Sequence, residues 1–594
     1  MNSDQIIVLI VILFIIISLY KNFLGPGFTF IIAVSVLGFV GILTPKESLS
    51  GFANEQLAVI IILLLVGEII RKSTLLDSFF DSFFKNTRTY KKFIFKLIFP
   101  VAGLSAIINN TPLVAIIMPY VHNWGKKHGV APSKLLIPLS YSAILGGTVT
   151  LIGTSTNLVV NGMVSEQEIF PGFKSLDIFD FTPVGLSMVM IGGLYLVFAS
   201  NRLLPEKRDP LDNISLMSRE YIVEVKVTKG ANCHKKTVEQ ANLRNLKGLF
   251  LVEIIRKDES ITPVTPQTVI MEKDLLIFAG NTETIADMIE NNKTLKPSQL
   301  GMFSQRAKTA VVEVVVSPNS GLIDKTVRET GFRGKFDAAI VAVHRNGERL
   351  RGKIGDIKLL PGDLLLLVTG EDFENRMDNK DFYVLGKVRN IDKMPTLQSL
   401  LIAGGLIASI VLSSLHIIPL FNSLIVFLIL LFLFGVASPK DVPKTINYNL
   451  ILIIALSLAL GEAMTKTGID SIASDIFVNV FKPYGVFSLF VGIFLLTNLL
   501  ASVITNIGAV AIVFPVAINL AAQLGLDPRP FAMLVAFAGA ASFITPIGYQ
   551  TNLMVYGPGG YNFRDFMKIG LPMTILFMLV ATIGLILQFG LKIN

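Results

Sequence analysis

The stretch INNTPLVAIIMP, Ile108 to Pro119, sets two asparagines and a threonine inside an apolar run. A second stretch, TNIGAVAIVFP, Thr505 to Pro515, repeats the arrangement, with Asn506 nine residues before Pro515 as Asn110 is before Pro119. Two further apolar runs are broken by glycines and hydroxyls: GGTVTLIGTSTN, Gly146 to Asn157, and SFITPIGYQTN, Ser542 to Asn552. Carbonyl and amide oxygens suit a hard cation such as Na⁺, whereas hydroxyls, amide N–H groups and helix N-termini suit an anion. The candidates are Ser105, Asn109, Asn110 and Thr111 in the first stretch and Ser502, Thr505 and Asn506 in the second, with Pro112 and Gly508 loosening the backbone. The broken runs add Gly153, Thr156 and Asn157, and Ile544, Thr545, Thr551 and Asn552. At membrane depth, non-helical backbone and amide side chains are tolerated where they line a protein cavity.

Composition makes membrane the medium. The 594 residues are 16% charged, against roughly 25% in soluble domains, and mean hydropathy is +0.64. Several windows exceed the roughly 18 apolar residues that cross a bilayer, which indicates a polytopic membrane protein. The tail MNSDQ has neither the positive n-region nor the small-residue cleavage site of a signal peptide, so the first span is expected to be retained. A single cysteine, Cys233, leaves no disulfide framework or cysteine metal site, and the net charge of +9 reads as positive cytoplasmic loops rather than as a nucleic-acid surface.

Texture divides the chain into transmembrane repeat 1 (1–203), two soluble units (207–295 and 306–390) and transmembrane repeat 2 (396–594). The outer parts read as copies. TPKE at 44–47 matches SPKD at 438–441, Gly67-Glu68 matches Gly461-Glu462, Asn110–Pro119 matches Asn506–Pro515, and Asn157 matches Asn552. Those four offsets are 394, 394, 396 and 395 residues. Hydropathy predicts spans at about 5–22, 27–43, 54–70, 135–161 and 182–201 with a hairpin over 93–120, then spans at 397–415, 418–437, 447–464, 530–555 and 568–590 with a hairpin over 485–520. A re-entrant hairpin adds no crossing, so each repeat crosses five times and the two are inverted. The expected fold class is an all-α polytopic membrane protein of two inverted repeats, each of five crossings plus a re-entrant hairpin, with inserted α+β cytoplasmic tandem domains. Arg71, Lys72, Lys85, Arg88, Lys91 and Lys92 follow the third span, and the positive-inside rule then puts the N-terminus outside and the soluble block in the cytoplasm. Inverted repeats bring their interruptions together near the midplane, where the two hairpin tips would face each other.

At these residues the chain resembles the divalent-anion/sodium symporter family, the sodium-coupled sulfate and di- and tricarboxylate transporters of the wider ion-transporter superfamily. That family carries a Ser-Asn-Thr signature at each hairpin tip; here the tips read Asn109-Asn110-Thr111 and Thr505-Asn506-Ile507. The resemblance implies that Asn110 and Asn506 serve both sodium and anion, that Ser105 and Asn109 help the first sodium site, and that Thr505 helps the second. Backbone around Gly153 and Ile544 would complete the two sodium shells. It also implies an elevator-type mechanism on a homodimer in the inner or plasma membrane. Ile507 and Ala501 depart from the family pattern, each lacking a hydroxyl. A dicarboxylate needs polar contacts at both ends, so Ile507 tilts the reading toward a compact tetrahedral anion such as sulfate, unless Thr545, Tyr549 or Thr551 supplies the donor.

The soluble block is itself doubled. Residues 246–280 and 336–370 share a strand ending in Arg256 or Arg345 and an acidic turn at Asp274 or Asp363, each with an upstream strand, EYIVEVKV or AVVEVVV. This resembles two copies of the TrkA-C type domain of potassium-conductance regulators, some of which bind cyclic dinucleotides at a dimer interface. No GxGxxG is present for NAD or ATP. The leading reading is therefore a sodium-coupled symporter of a divalent anion, in contact with membrane lipid. Its alternatives are a di- or tricarboxylate symporter, a cation/proton antiporter or an arsenite exporter. A channel is disfavoured for want of a TVGYG-like filter, and an enzyme for want of a nucleophile–His or paired-carboxylate arrangement in the site region. Proton coupling would need a buried carboxylate; the paired Glu68 and Glu462 read instead as interfacial, with Arg71 and Lys72 one turn beyond Glu68.

Overall fold

The computed structural model describes residues 1–21, 24–72, 80, 83–84, 87, 89–173, 175–207, 222–228, 231, 233–243, 249–256, 259–261, 264–280, 295–297, 310–318, 320–345, 348–350, 354–370, 372–377, 381–385, 396–439, 442 and 448–592. Its first group of helices comprises α1 (Ser3–Lys21), α2 (Pro26–Phe39), α3 (Pro45–Ser50), α4 (Glu55–Lys72), α5 (Tyr90–Ser105), α6 (Asn110–His128), α7 (Leu136–Gly147), α8 (Ser155–Glu166) and α9 (Thr182–Leu203). The second comprises α10 (Thr396–Ser414), α11 (Leu420–Leu433), α12 (Tyr448–Thr467), α13 (Ile469–Phe481), α14 (Gly485–Val503), α15 (Asn506–Leu524), α16 (Pro528–Ala540), α17 (Gln550–Tyr556) and α18 (Phe563–Gln588). Six helical stretches among the described residues are long and apolar enough to cross a membrane, or seven if the 41° bend between Pro45–Ala53 and Glu55–Ile70 lies within one span. Large apolar side chains such as Leu13, Phe28, Ile407, Leu433, Ile575 and Leu587 are exposed on the outer helices, as a lipid-facing surface requires. The chain is a multi-pass membrane protein.

Two departures from the sequence reading concern helix ends. The span expected over 27–43 stops at Phe39, and Pro45 opens a separate short helix whose capping box pairs the Thr44 hydroxyl with Glu47 N–H and the Glu47 carboxylate with Thr44 N–H. Before the second hairpin lies α13, which hydropathy did not separate from the loop; with α14 it makes a run of 35 residues. The side chains of Arg71 and Lys72, and Lys85 and Arg88, lie outside the described residues; Glu462 is half-buried.

The two hairpins are built alike. In each, the second arm is a nineteen-residue helix opened by a polar cap, Asn109 accepting from Thr111 N–H at 3.3 Å and Thr505 accepting from Gly508 N–H at 3.1 Å. Each closes on a left-handed glycine, Gly129 or Gly525, the residue that adopts that conformation without strain. The next helix in each half is interrupted, over 148–154 between α7 and α8 and over 541–549 between α16 and α17. The groups exchange elements: α2 packs on α12, α11 on α4, and α9 on α18.

Between the groups lie two antiparallel five-stranded sheets. The first has β1 (Ile222–Val227), β2 (Leu249–Arg256), β3 (Glu259–Ile261), β4 (Leu275–Gly280) and β5 (Leu295–Pro297) in the order β3-β2-β4-β1-β5. The second has β6 (Ala310–Val316), β7 (Ala338–Arg345), β8 (Glu348–Arg349), β9 (Leu364–Thr369) and β10 (Phe382–Val384) in the order β10-β6-β9-β7-β8, the same arrangement read from the other edge. Each holds one two-pronged ion pair: Arg256 with Asp274 at 2.9 and 2.8 Å, and Arg345 with Asp363 at 2.7 and 2.8 Å. The same guanidinium donates at 2.6 Å to a carbonyl, Val269 or Lys358. Both aspartates are buried, and a buried pair deprived of one partner costs about 3–5 kcal/mol, so these clamps fix the turn before β4 and β9.

Candidate functional site

The hairpin tips meet the breaks crosswise. The start of α6 packs against α17, and the start of α15 against α8. At the first tip, the Asn110 amide donates to the Tyr549 hydroxyl at 2.7 Å, and that hydroxyl lies 3.0 Å from the Thr154 hydroxyl. Asn110 opens α6, Thr154 caps α8 and Tyr549 caps α17, so three helix beginnings come within hydrogen-bond reach of one phenol. Helix beginnings carry partial positive charge, and every side chain in this cluster is neutral.

Ser105 ends the first arm, and its hydroxyl donates to Asn110 Oδ1 and to Ala143 O, the latter at 2.7 Å. A Cβ at Gly147 would stand 2.9 Å from Asn110 Oδ1, and one at Gly153 would stand 2.6 Å from Gly147 O. Only glycine allows this stacking of break on tip, and it brings Ser105, Asn110, Gly147 and Gly153 into one oxygen-lined neighbourhood. Asn109 turns away from it: besides capping α6, it lines a cleft with Ile60, Gly67, Ile107, Ile152 and Ser155. Thr111 donates to Gln550 at 3.0 Å on the more open side.

The second tip is simpler. Asn506 is half-buried and accepts from Ser542 at 2.9 Å, while Thr505 is occupied as a cap. Ser105 has its counterpart in Ala501, and one turn earlier Asn498 takes over, donating to Ala538 O at 3.3 Å and Ala541 O at 2.8 Å. The side chain of Thr156 reaches toward Gly539, as does Asn506 O, at 3.1 and 3.6 Å from the Cβ position there, which joins the second tip to the first break. Ile544 and Thr545 are half-buried, with the Thr545 hydroxyl accepting from Gly548 N–H at 3.0 Å.

Other residues singled out by the sequence are enclosed. Asn157, Thr551 and Asn552 are each 0% exposed, and they latch the breaks. Asn157 donates to Thr150 O at 2.9 Å, and Asn552 donates to Ser542 O and Thr545 O at 2.8 and 3.2 Å. The Ser140 hydroxyl bridges Thr551 Oγ1 and Asn552 Oδ1, at 2.8 and 2.7 Å. Sequence reasoning passed over Ser140 and Asn498. Their signal was faint: a hydroxyl or an amide in an otherwise unbroken apolar helix, which more often serves helix packing.

Comparison with known proteins places these observations. The family model described as the citrate transporter matches residues 9–489 and again 423–592. A Chlamydomonas reinhardtii protein named as a candidate regulator of the sulfur deprivation response is 32% identical over 570 residues, covering 94% of this chain and 97% of the relative. An uncharacterized transporter of Synechocystis is 29% identical over 598 residues, covering 98% and 97%. Sodium/sulfate cotransporter 2 of Chlamydomonas reinhardtii is 24% identical over 771 residues, covering 94% and 87%.

Proposed function

The chain belongs to the citrate transporter family, a family of transporters rather than enzymes, and from that premise we propose that it imports a divalent anion together with Na⁺, sulfate being the favoured anion. The observation that carries the reading is the meeting of Asn110, Thr154 and Tyr549 at three helix beginnings, a neutral cluster suited to an anion. Sodium would supply the missing countercharge beside it. In this reading the first sodium site draws on Ser105, Asn110 and backbone around Gly153, with Asn109 at its edge. The second draws on Thr505, Asn506 and backbone around Ile544, and Thr111, Thr156, Asn157, Thr545, Thr551 and Asn552 shape the anion pocket. The hairpins and breaks would move as one body between the two sides of the plasma membrane, on a homodimeric scaffold of two inverted repeats. The two sheet modules would be cytoplasmic regulators of TrkA-C type.

Sulfate is favoured over a carboxylate on two grounds. Relatives are named sodium/sulfate cotransporters, and Ile507 gives the second tip no hydroxyl for the far end of a dicarboxylate, while Thr551 is fully buried beside Ser140. The family's citrate description supports the rival carboxylate reading. Uptake of labelled sulfate into proteoliposomes, with and without an inward Na⁺ gradient, decides between them when thiosulfate, succinate and citrate compete. Sodium-driven uptake blocked by thiosulfate alone is expected; succinate accumulation without sulfate uptake would replace sulfate by a carboxylate.

A further inference from the structure

The second sheet module does not stand apart from the membrane helices. Val315, Leu364 and Leu385 belong to the same buried apolar cluster as the hairpins and breaks, with Tyr383 packed against it, whereas the core of the first module closes on itself. A close approach is made by the turn before β9. Gly362 sits in the left-handed region at φ +81°, and a Cβ there would lie 2.6 Å from Leu553 O; a Cβ at Gly557 would run into Gly362 O. The turn thus rests backbone against backbone on the far end of α17. The near end of α17 is Tyr549, the residue that bonds Asn110. Seven helical residues separate the two ends, about 10 Å at 1.5 Å per residue. A weaker tie, Lys126 to Glu313 at 3.9 Å, joins the module to the last turn of α6.

The first module supplies an internal control. Its equivalent turn carries Lys273, also left-handed at φ +73°, and that residue is exposed. A lysine in this conformation is strained, yet the turn keeps its shape because the Arg256–Asp274 clamp matches the Arg345–Asp363 clamp bond for bond. Glycine is therefore not needed to form the turn; it is needed where another backbone must come close.

We propose that the turn Leu360–Asp363 is a positioning element for the second break: seated on Leu553 and Gly557, it holds α17, and through Tyr549 the first hairpin tip, in the arrangement described above. This rests on the transport reading of that site. A contact can bias a conformational equilibrium only if one state makes it and another does not, so the turn influences transport to the extent that α17 leaves it during the cycle.

Gly362→Lys gives the second module the turn that the first already folds with, and Lys273→Gly is the reverse exchange. The accessibility of Leu553→Cys to a membrane-impermeant thiol reagent, in a Cys233→Ala background, reports the seat; Na⁺-driven sulfate uptake at saturation reports its consequence. Gly362→Lys is expected to raise labelling at least about threefold and to change uptake at least about twofold, shifts of the size that loss of one backbone contact gives in a two-state equilibrium. Lys273→Gly should change neither. Gly557→Ala attacks the seat from the other side and should raise labelling likewise if Gly362→Lys does not fold. Unchanged labelling, or equal changes in both exchange variants, overturns the seat; raised labelling with unchanged uptake overturns the coupling. Failure of the parent protein to transport any anion would instead refute the transport reading, and the labelling would still decide where the turn sits.

Discussion

The two breaks use the same latch and complete it differently. Asn157 and Asn552 each reach back seven residues to a carbonyl, Thr150 O and Thr545 O. The amide oxygen of Asn552 accepts from Ser140, whereas that of Asn157 is buried and, among the described residues, has no partner. At the sequence offset of 395 residues that relates Asn157 to Asn552, the position of Ser140 corresponds to Val535, which has no hydroxyl. The tips are unequal in the same way. Ser105 ties Asn110 to its own hairpin and to α7, while Ala501 leaves that task to Asn498, and the Asn506 side chain accepts from Ser542 on the following break. The first half is tied tightest at its tip and the second at its break, so equivalent substitutions should not have equal effects.

The largest effect is expected where both halves place their amide. Asn110→Ala removes the acceptor of Ser105 and the donor to Tyr549, and it should lower Na⁺-driven uptake about ten- to hundredfold or more, the equivalent of about 1.5–3 kcal/mol for hydrogen bonds to charged groups. Asn506→Ala should also lose uptake while preserving the folded protein, as judged by monodispersity in detergent. Normal uptake in either variant would remove that tip from the site. Next comes Ser140→Val, which removes the hydroxyl shared by Asn552 Oδ1 and Thr551 Oγ1, leaves the buried Asn552 oxygen without its donor and makes the second break resemble the first. A loss of about 1–3 kcal/mol per orphaned group is expected, read as lower thermal stability in detergent; no loss would mean that the latch is decorative. A smaller change is expected from Ile507→Thr, which restores a hydroxyl at the second tip. It should raise the potency of succinate as a competitor by severalfold, about 1 kcal/mol for one neutral hydrogen bond.

These asymmetries were only partly visible in the sequence. The glycine breaks, the two tips and the doubled soluble block announced themselves because polar residues in apolar runs are costly and stand out. Their repetition at near-constant offset did the rest; the soluble block likewise showed Arg256 and Arg345, and Asp274 and Asp363, at matching places, but that each arginine clamps its aspartate is seen only in the structure. Partnerships across the repeat were not readable. Tyr549 lies 439 residues from Asn110, and Ser140 lies 412 residues from Asn552; one sequence holds no signal that pairs them. Helix α13 was missed for a different reason: with Asp470, Ser471, Ser474 and Asp475 on it, its composition reads as loop although its apolar residues fall at helical spacing.

The finest test supplies what the first break lacks. Val535 is fully buried on α16, which packs against α8, the helix that carries Asn157. Threonine matches valine in shape but adds a hydroxyl, and an unsatisfied buried hydroxyl costs about 1–3 kcal/mol. If the pseudo-symmetry of the latch is real, Val535→Thr meets the Asn157 oxygen, and the bond offsets that penalty with about 0.5–1.5 kcal/mol of net gain. Thermal stability should then hold or rise. In an Asn157→Ala background the same change has no acceptor to meet and should destabilise. A double-mutant cycle therefore predicts a favourable coupling between 535 and 157; a coupling near zero would mean that the second latch evolved a contact for which the first has no room.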